Sequence, residues 1–185
     1  MGRRREARQA ALQYHFWRDM QHGNSPEKME DFWEFLPTKP RVREFAQPLI
    51  DGMNAHLKEI DERIRRYAEN YEFRRIAAVD RNVLRLAIYE MLYRDDIPPV
   101  VSINEAIELA KKFGGAESGR FVNGILDQVR KELSRPAREA VKHQANGGGP
   151  RQNKSEAQDH VAKTGPFKEW LFLAAAELMR RHSPY

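Results

Sequence analysis

The 185-residue chain contains no cysteine. That excludes disulfides, thiolate metal sites and a cysteine nucleophile, and it suits a reducing cytosol. No stretch approaches the ~20 consecutive apolar residues of a membrane span. The N-terminus is positive but lacks the apolar segment and small-residue cleavage site of a secretory signal. Glu6 and Asp19 argue against an Arg-rich transit peptide. Strand signals are missing too, since no alternating run bounded by turn residues is long enough for a sheet. The six histidines (His15, His22, His56, His143, His160 and His182) show no HxxxH or HExxH spacing, so no metal site is expected. Phosphate-loop, dinucleotide and nucleophile-elbow glycine patterns are absent, and Gly147–Gly149 lie in a polar tract that reads as linker. Asp95 and Asp96 precede Ile-Pro-Pro and read as a turn rather than an acid–base pair. No residue set supports an enzyme, and no cofactor is implied.

What is present is charge, unevenly placed. The chain holds 32 Lys+Arg against 27 Asp+Glu, a formal net charge of +5. Residues 1–135 carry 24 basic and 22 acidic side chains, and residues 136–185 carry 8 and 5. Within the first part, Arg3, Arg4, Arg5 and Arg8 face only Glu6 over the first eight residues. The excess therefore sits at the N-terminal end and in the tail, which suits a local contact with an anion. A merely solvated charged face is the alternative reading.

Apolar residues recur at helical spacing almost everywhere. Ala7, Ala10, Ala11, Tyr14 and Trp17 predict a first helix ending near Gly23. Ser25-Pro26 predicts the start of a short helix with Met29, Phe32, Trp33 and Leu36, stopped by Pro37. From Arg41 a long pattern runs through Val42, Leu49, Ile50, Met53, Ile60 and Ile64 to Tyr67, with a kink or split expected at Pro48 and Gly52. Glu72 to Ala78 is a break. The next helix, VDRNVLRLAIYEML, is expected to bury Val79, Val83, Leu86, Ala87, Met91 and Leu92 and to turn Arg81 and Arg85 outward. In SINEAIELAKKFGG, Ser102 and Glu105 have capping-box spacing, and Gly114 ends the helix. Ser118 is positioned to cap a last helix that buries Phe121, Val122, Ile125, Leu126, Val129 and Leu133.

The expected fold is all-α: about seven helices in a compact domain over residues 1–135. Residues 136–166 read as a flexible linker, rich in Gly, Asn, Gln and charge. Residues 167–182 read as an amphipathic helix with Phe167, Trp170, Leu171, Leu173, Ala174 and Leu178 on one face. An isolated helix of that length is marginal in water. It is expected to fold back onto the domain or to mediate self-association.

Basic residues interleaved with aromatics are the signal that carries chemistry. Arg4 and Arg8 are four apart on the first helix, and Tyr14 and Phe16 follow. Arginine forks grip phosphates, and aromatic rings stack on unpaired bases. Single-stranded RNA offers both targets. Tyr14 can equally be core, whereas Phe16 lies off the apolar stripe. If Arg3, Arg4, Arg5 and Arg8 each touch a phosphate, the log–log salt slope of binding is about −3. The competing reading is a non-catalytic helical scaffold whose arginines meet acidic protein surfaces, with only nonspecific RNA affinity.

The motifs DRNVLRLAIYE, INEAIELAKKFG and RFVNGILD, in this order, resemble the second half of the NusB transcription antitermination factor family, and RRREARQAALQYHF resembles its Arg-rich first helix. The resemblance covers residues 3 to about 133. It implies an all-helical module of two subdomains and a transcription factor that binds boxA RNA together with the ribosomal protein NusE. Such a factor joins other Nus factors and RNA polymerase, notably on ribosomal RNA operons, in the cytoplasm. The fold also heads some rRNA cytosine methyltransferases, but this chain has no cysteine to serve that chemistry. Carried over residue by residue, the RNA surface comprises Arg3, Arg4, Arg5, Arg8, Tyr14, Phe16, Glu117, Ser118, Arg120 and Phe121. Candidates for the NusE surface are Arg81, Arg85, Tyr89 and Arg94. The sequence leaves open a homodimer and the exposure of Phe121. Residues beyond the last helix depart from the family pattern.

Overall fold

The structure is a computed structural model that describes residues 2–20, 29–69 and 71–134. Over these residues the chain forms α1 (Arg3–Met20), α2 (Met29–Phe35), α3 (Pro40–Tyr67), a 3₁₀ turn (Phe73–Arg75), α4 (Ala78–Tyr93), α5 (Pro99–Phe113) and α6 (Ser118–Lys131). No strand occurs among the described residues. The end of the first helix near Gly23, the Ser25-Pro26 start and the whole 136–185 extension lie outside them.

Helix α4 organises the rest. Every residue from Asn82 to Met91 is buried, because α1, α3, α5 and α6 all pack on it. Helices α1 to α3 make one half and α4 to α6 the other, with α3 and α1 meeting α4 across the junction. The buried apolar side chains nonetheless form one continuous cluster, from Ala7 and Phe32 through Met53 and Leu84 to Leu126. A helix enclosed on all sides has no outward face. The expectation that Arg85 points to solvent is therefore wrong, and Tyr89 is buried with it.

Helix α3 does not split. It runs unbroken for 28 residues with Pro48 inside it. A proline there removes one intrahelical hydrogen bond, but the buried stripe from Val42 to Ile64 holds both halves against the core. Gly52 serves a different purpose from the expected break. A Cβ at this position would lie 1.9 Å from the Tyr89 hydroxyl oxygen, so only glycine lets the α4 ring lie flat on α3. The Tyr89 hydroxyl then donates to the Pro48 carbonyl at 3.4 Å.

Helix α5 starts four residues earlier than the capping box implied, with Pro99 in its first turn, where the missing N–H costs nothing. Ser102 and Glu105 therefore lie inside the helix. Their side chains bond to other helices, so the capping box is not formed. Gly114 ends α5 as expected, and a Cβ there would collide with Ser118 at 2.3 Å. That contact fixes the tight α5–α6 corner.

Candidate nucleic-acid interface

The first turn of α1 presents Arg3, Arg4 and Arg5 to solvent. Arg4 places its guanidinium 5.8 Å from the centre of the Phe45 ring, a large apolar side chain left partly exposed on α3. Arg5 donates to both Glu105 oxygens, from Nε at 2.9 Å and from Nη2 at 2.5 Å. That hydrogen bond holds the Glu105 carboxyl below the ordinary glutamate range.

Arg8 departs from the sequence reading. It is only 5% exposed, and its Nε and Nη2 donate to the Glu90 carboxylate at 2.7 and 3.1 Å. Ser102 donates to the same carboxylate at 2.8 Å. A charge this deep requires a fully hydrogen-bonded partner, and Glu90, itself buried on α4, supplies it. Arg8 is thereby withdrawn from the outward-facing set. The signal was available: Arg8 precedes Ala11, Leu12 and His15 by three, four and seven residues, and all four are buried. Tyr14 is core as well, edge-on to Phe32 at 5.2 Å and packed near Trp17. Phe16 is half-buried against the core edge.

The start of α6 is built differently. Glu117 and Arg120 are strongly exposed and face each other at 3.2 Å, with 86% of the Arg120 side chain open to water. Ser118 is buried and accepts from the Gly115 N–H at 2.8 Å. It is a structural pin of the α5–α6 corner rather than the simple N-cap expected. Phe121 is half-buried and meets the edge of Tyr71, ring centres 5.0 Å apart. Tyr71 is 60% exposed. Sequence reasoning missed it by treating 72–78 and its approach only as a break, although NYEFRR interleaves aromatic and basic residues.

The two patches do not merge into one cluster. Arg5 sits beside Glu105, midway along α5, whereas Ser118 lies at the start of α6, beyond the far end of α5. From Glu105 to Phe113 the α5 axis runs roughly 12 Å. Arg3 to Arg5 and the Tyr71–Phe121 pair are therefore two separate patches.

The α4 candidates divide in the same way. Arg85 is buried and grips Asp61 of α3 at 2.7 and 2.8 Å and Asp19 of α1 at 3.0 and 3.1 Å. Burial alone would lower its pKa, but these carboxylates raise it above the ordinary value. Arg81 donates to Asp19 at 2.8 Å. Arg81 and Arg94 stay partly open, their side chains 16% and 25% exposed, with Arg94 paired to Asp96 beyond the end of α4. Among the described residues no three His, Asp or Glu side chains converge as a metal site, and no helix is long and apolar enough to cross a membrane.

Comparison with known proteins adds the lineage. The profile of the NusB family matches residues 5–131. The chain is 44% identical over 140 residues to the transcription antitermination protein NusB of Myxococcus xanthus, covering 74% of this chain and 100% of that protein. Solved structures agree in fold. NusB from T. maritima superposes with a TM-score of 0.64 at 40% identity, covering 73% of this chain and 94% of that one. A structure of the antitermination factors NusB and NusE with double-stranded RNA contains a chain with a TM-score of 0.64 at 28% identity, covering 72% of this chain and 99% of that one. With the profile spanning most of its length and whole relatives covered by it, the chain belongs to the NusB family.

Proposed function

We propose that the protein is a transcription antitermination factor that binds boxA-type single-stranded RNA together with a NusE-type ribosomal protein and supports processive transcription of ribosomal RNA operons. It acts by assembly, without catalysis, in the cytoplasm, within a complex that includes other Nus factors and RNA polymerase. The observation that carries this reading is the rigid presentation of Arg3, Arg4 and Arg5 on the first turn of a helix whose other faces are locked into the core. Cations held in place by packing lose little freedom when they meet phosphate.

The residues assigned to RNA contact are Arg3, Arg4, Arg5, Phe16, Arg120 and Phe121, with Tyr71 added. Glu117 orients Arg120, while Ser118, Tyr14 and Arg8 shape the surface from beneath. Exposed aromatic edges favour an unpaired strand, because bases in a duplex are already stacked. The NusE-type partner is assigned to the half built from α4 to α6, with Arg94 as the accessible α4 cation. The RNA-binding domain is assigned to residues 1–135; residues 136–185 lie outside the described residues.

The test is a titration of boxA-like, scrambled and double-stranded RNA, with and without the NusE-type protein. The expected result is a preference for the boxA-like single strand that sharpens when the partner is present. Equal binding of all three RNAs, unaffected by the partner, refutes the assignment.

A further inference from the structure

Helices α1 and α5 flank a groove of about 410 Å³. Its walls carry Arg5 and Gln9 from α1 and Glu105, Glu108, Lys111 and Lys112 from α5. The charges in it are not evenly matched. Arg5 holds Glu105, and Lys111 reaches Glu108 at 3.2 Å. Lys112 has no carboxylate partner among the described residues, and its ammonium lies 4.9 Å from the centre of the Phe113 ring. Burial and the charge of Arg5 together pull its pKa below the ordinary lysine value.

Two cations that sense each other across a groove cost free energy unless an anion sits between them. Glu105 answers Arg5 and Glu108 answers Lys111, so Lys112 is the groove cation without a carboxylate of its own among the described residues. The groove opens beside the first turn of α1, which contributes Arg5 to its wall. We propose that it holds a backbone phosphate of the bound single strand between Arg5 and Lys112, so that Lys112 is an RNA-binding residue of this protein. This inference rests on the RNA-binding reading above. It adds a phosphate contact beside the cations at the start of α1. A phosphate contact positions the strand without reading its bases.

The experiment compares the full chain with Lys112→Gln, Lys112→Arg and Lys58→Gln, titrating boxA-like and scrambled single-stranded RNA by fluorescence anisotropy across a salt series. Lys58 is exposed on α3 and controls for net charge. Glutamine keeps the helix propensity at both positions. Lys112→Gln is expected to weaken binding about two- to fivefold, the size of an exposed ion pair. The loss is the same on both RNAs. Its log–log salt slope is expected to be shallower by about 0.7, one single-strand phosphate contact. Lys112→Arg retains wild-type affinity, and Lys58→Gln changes neither quantity. If Lys112→Gln behaves like Lys58→Gln while the wild type binds with a salt-dependent affinity, the groove proposal is overturned and the RNA-binding reading stands. If the wild type itself shows no salt-dependent RNA binding, the proposed function fails first.

Discussion

Arg5 and Arg8 are three residues apart on α1, and their surroundings differ in kind. The Arg5 side chain is 45% exposed and shares its hydrogen bonds with a carboxylate at the surface. The Arg8 side chain is 6% exposed and closes a buried chain with Glu90 and Ser102. Glu105 stands between them, 3.9 Å from Arg8 on its other side. The same division recurs on the opposite half, where Arg85 ties Asp19 to Asp61 in the interior and Arg94 pairs with Asp96 at the rim. Arginine thus performs two tasks in one molecule. Inside, its desolvation is offset by bidentate carboxylates, and it fixes how α1, α3 and α4 register. Outside, water screens it and leaves it available to an anion.

The contrast is broken most directly from the inside. Arg8→Ala leaves Glu90 buried without its cation, and the expected cost is about 3–5 kcal/mol in urea denaturation. A loss below about 1 kcal/mol would put the pair in the class of surface bridges and remove the distinction. Gly52→Ala comes next. In an ordinary exposed helix this change gains up to about 1 kcal/mol. Here the new Cβ meets the Tyr89 ring, so the sign reverses to a loss of about 1–3 kcal/mol. A gain in stability would show that α3 and α4 are not packed as closely as described.

The pH dependence comes third. Burial, with the charges of Arg18 and Arg85, lowers the His15 pKa to about 3. The unfolded chain therefore binds a proton that the folded chain refuses. Stability should be complete above the unfolded histidine pKa of about 6.5 and should fall by about 1.4 kcal/mol per unit as pH drops toward the folded value. Denaturation midpoints between neutral pH and pH 5, before most carboxylates titrate, should flatten in His15→Leu relative to wild type. Equal slopes in the two proteins contradict a neutral buried imidazole. The smallest effect is expected outside. Arg4→Ala should change stability by less than about 0.5 kcal/mol while weakening RNA binding about two- to fivefold.

The sequence disclosed most of the frame. Periodicity located the six α-helices of the described residues, where about seven were expected, since stripes such as Val122, Ile125, Leu126 and Val129 need only one buried face. It failed where a residue's environment depends on two helices at once. Arg8 shares the spacing of the buried α1 stripe, but the carboxylate that lets a charge stay there, Glu90, comes from another helix. Ser102 and Glu105 match a local cap, but Pro99 starts the helix earlier, Ser102 donates to Glu90 of α4 and Glu105 accepts from Arg5 of α1. Pro48 and Gly52 carry breaker signals that the long buried stripe overrides. In the candidate site, Arg3, Arg4, Arg5 and Arg120 were legible as exposed cations. Tyr71 and Lys112 were not, because their significance comes from what they face across the fold.

The central claim is that the outward arginines of α1 bind RNA and the inward one holds the fold. Withdrawing Arg8 reduces the phosphate contacts expected from this helix to three. The decisive measurement is the salt slope of boxA-like RNA binding, in the presence of the NusE-type protein, for the full chain and for the triple variant Arg3→Ala, Arg4→Ala, Arg5→Ala. The account predicts a slope shallower by about 2, with the urea midpoint close to wild type. An unchanged slope in a folded variant would contradict it.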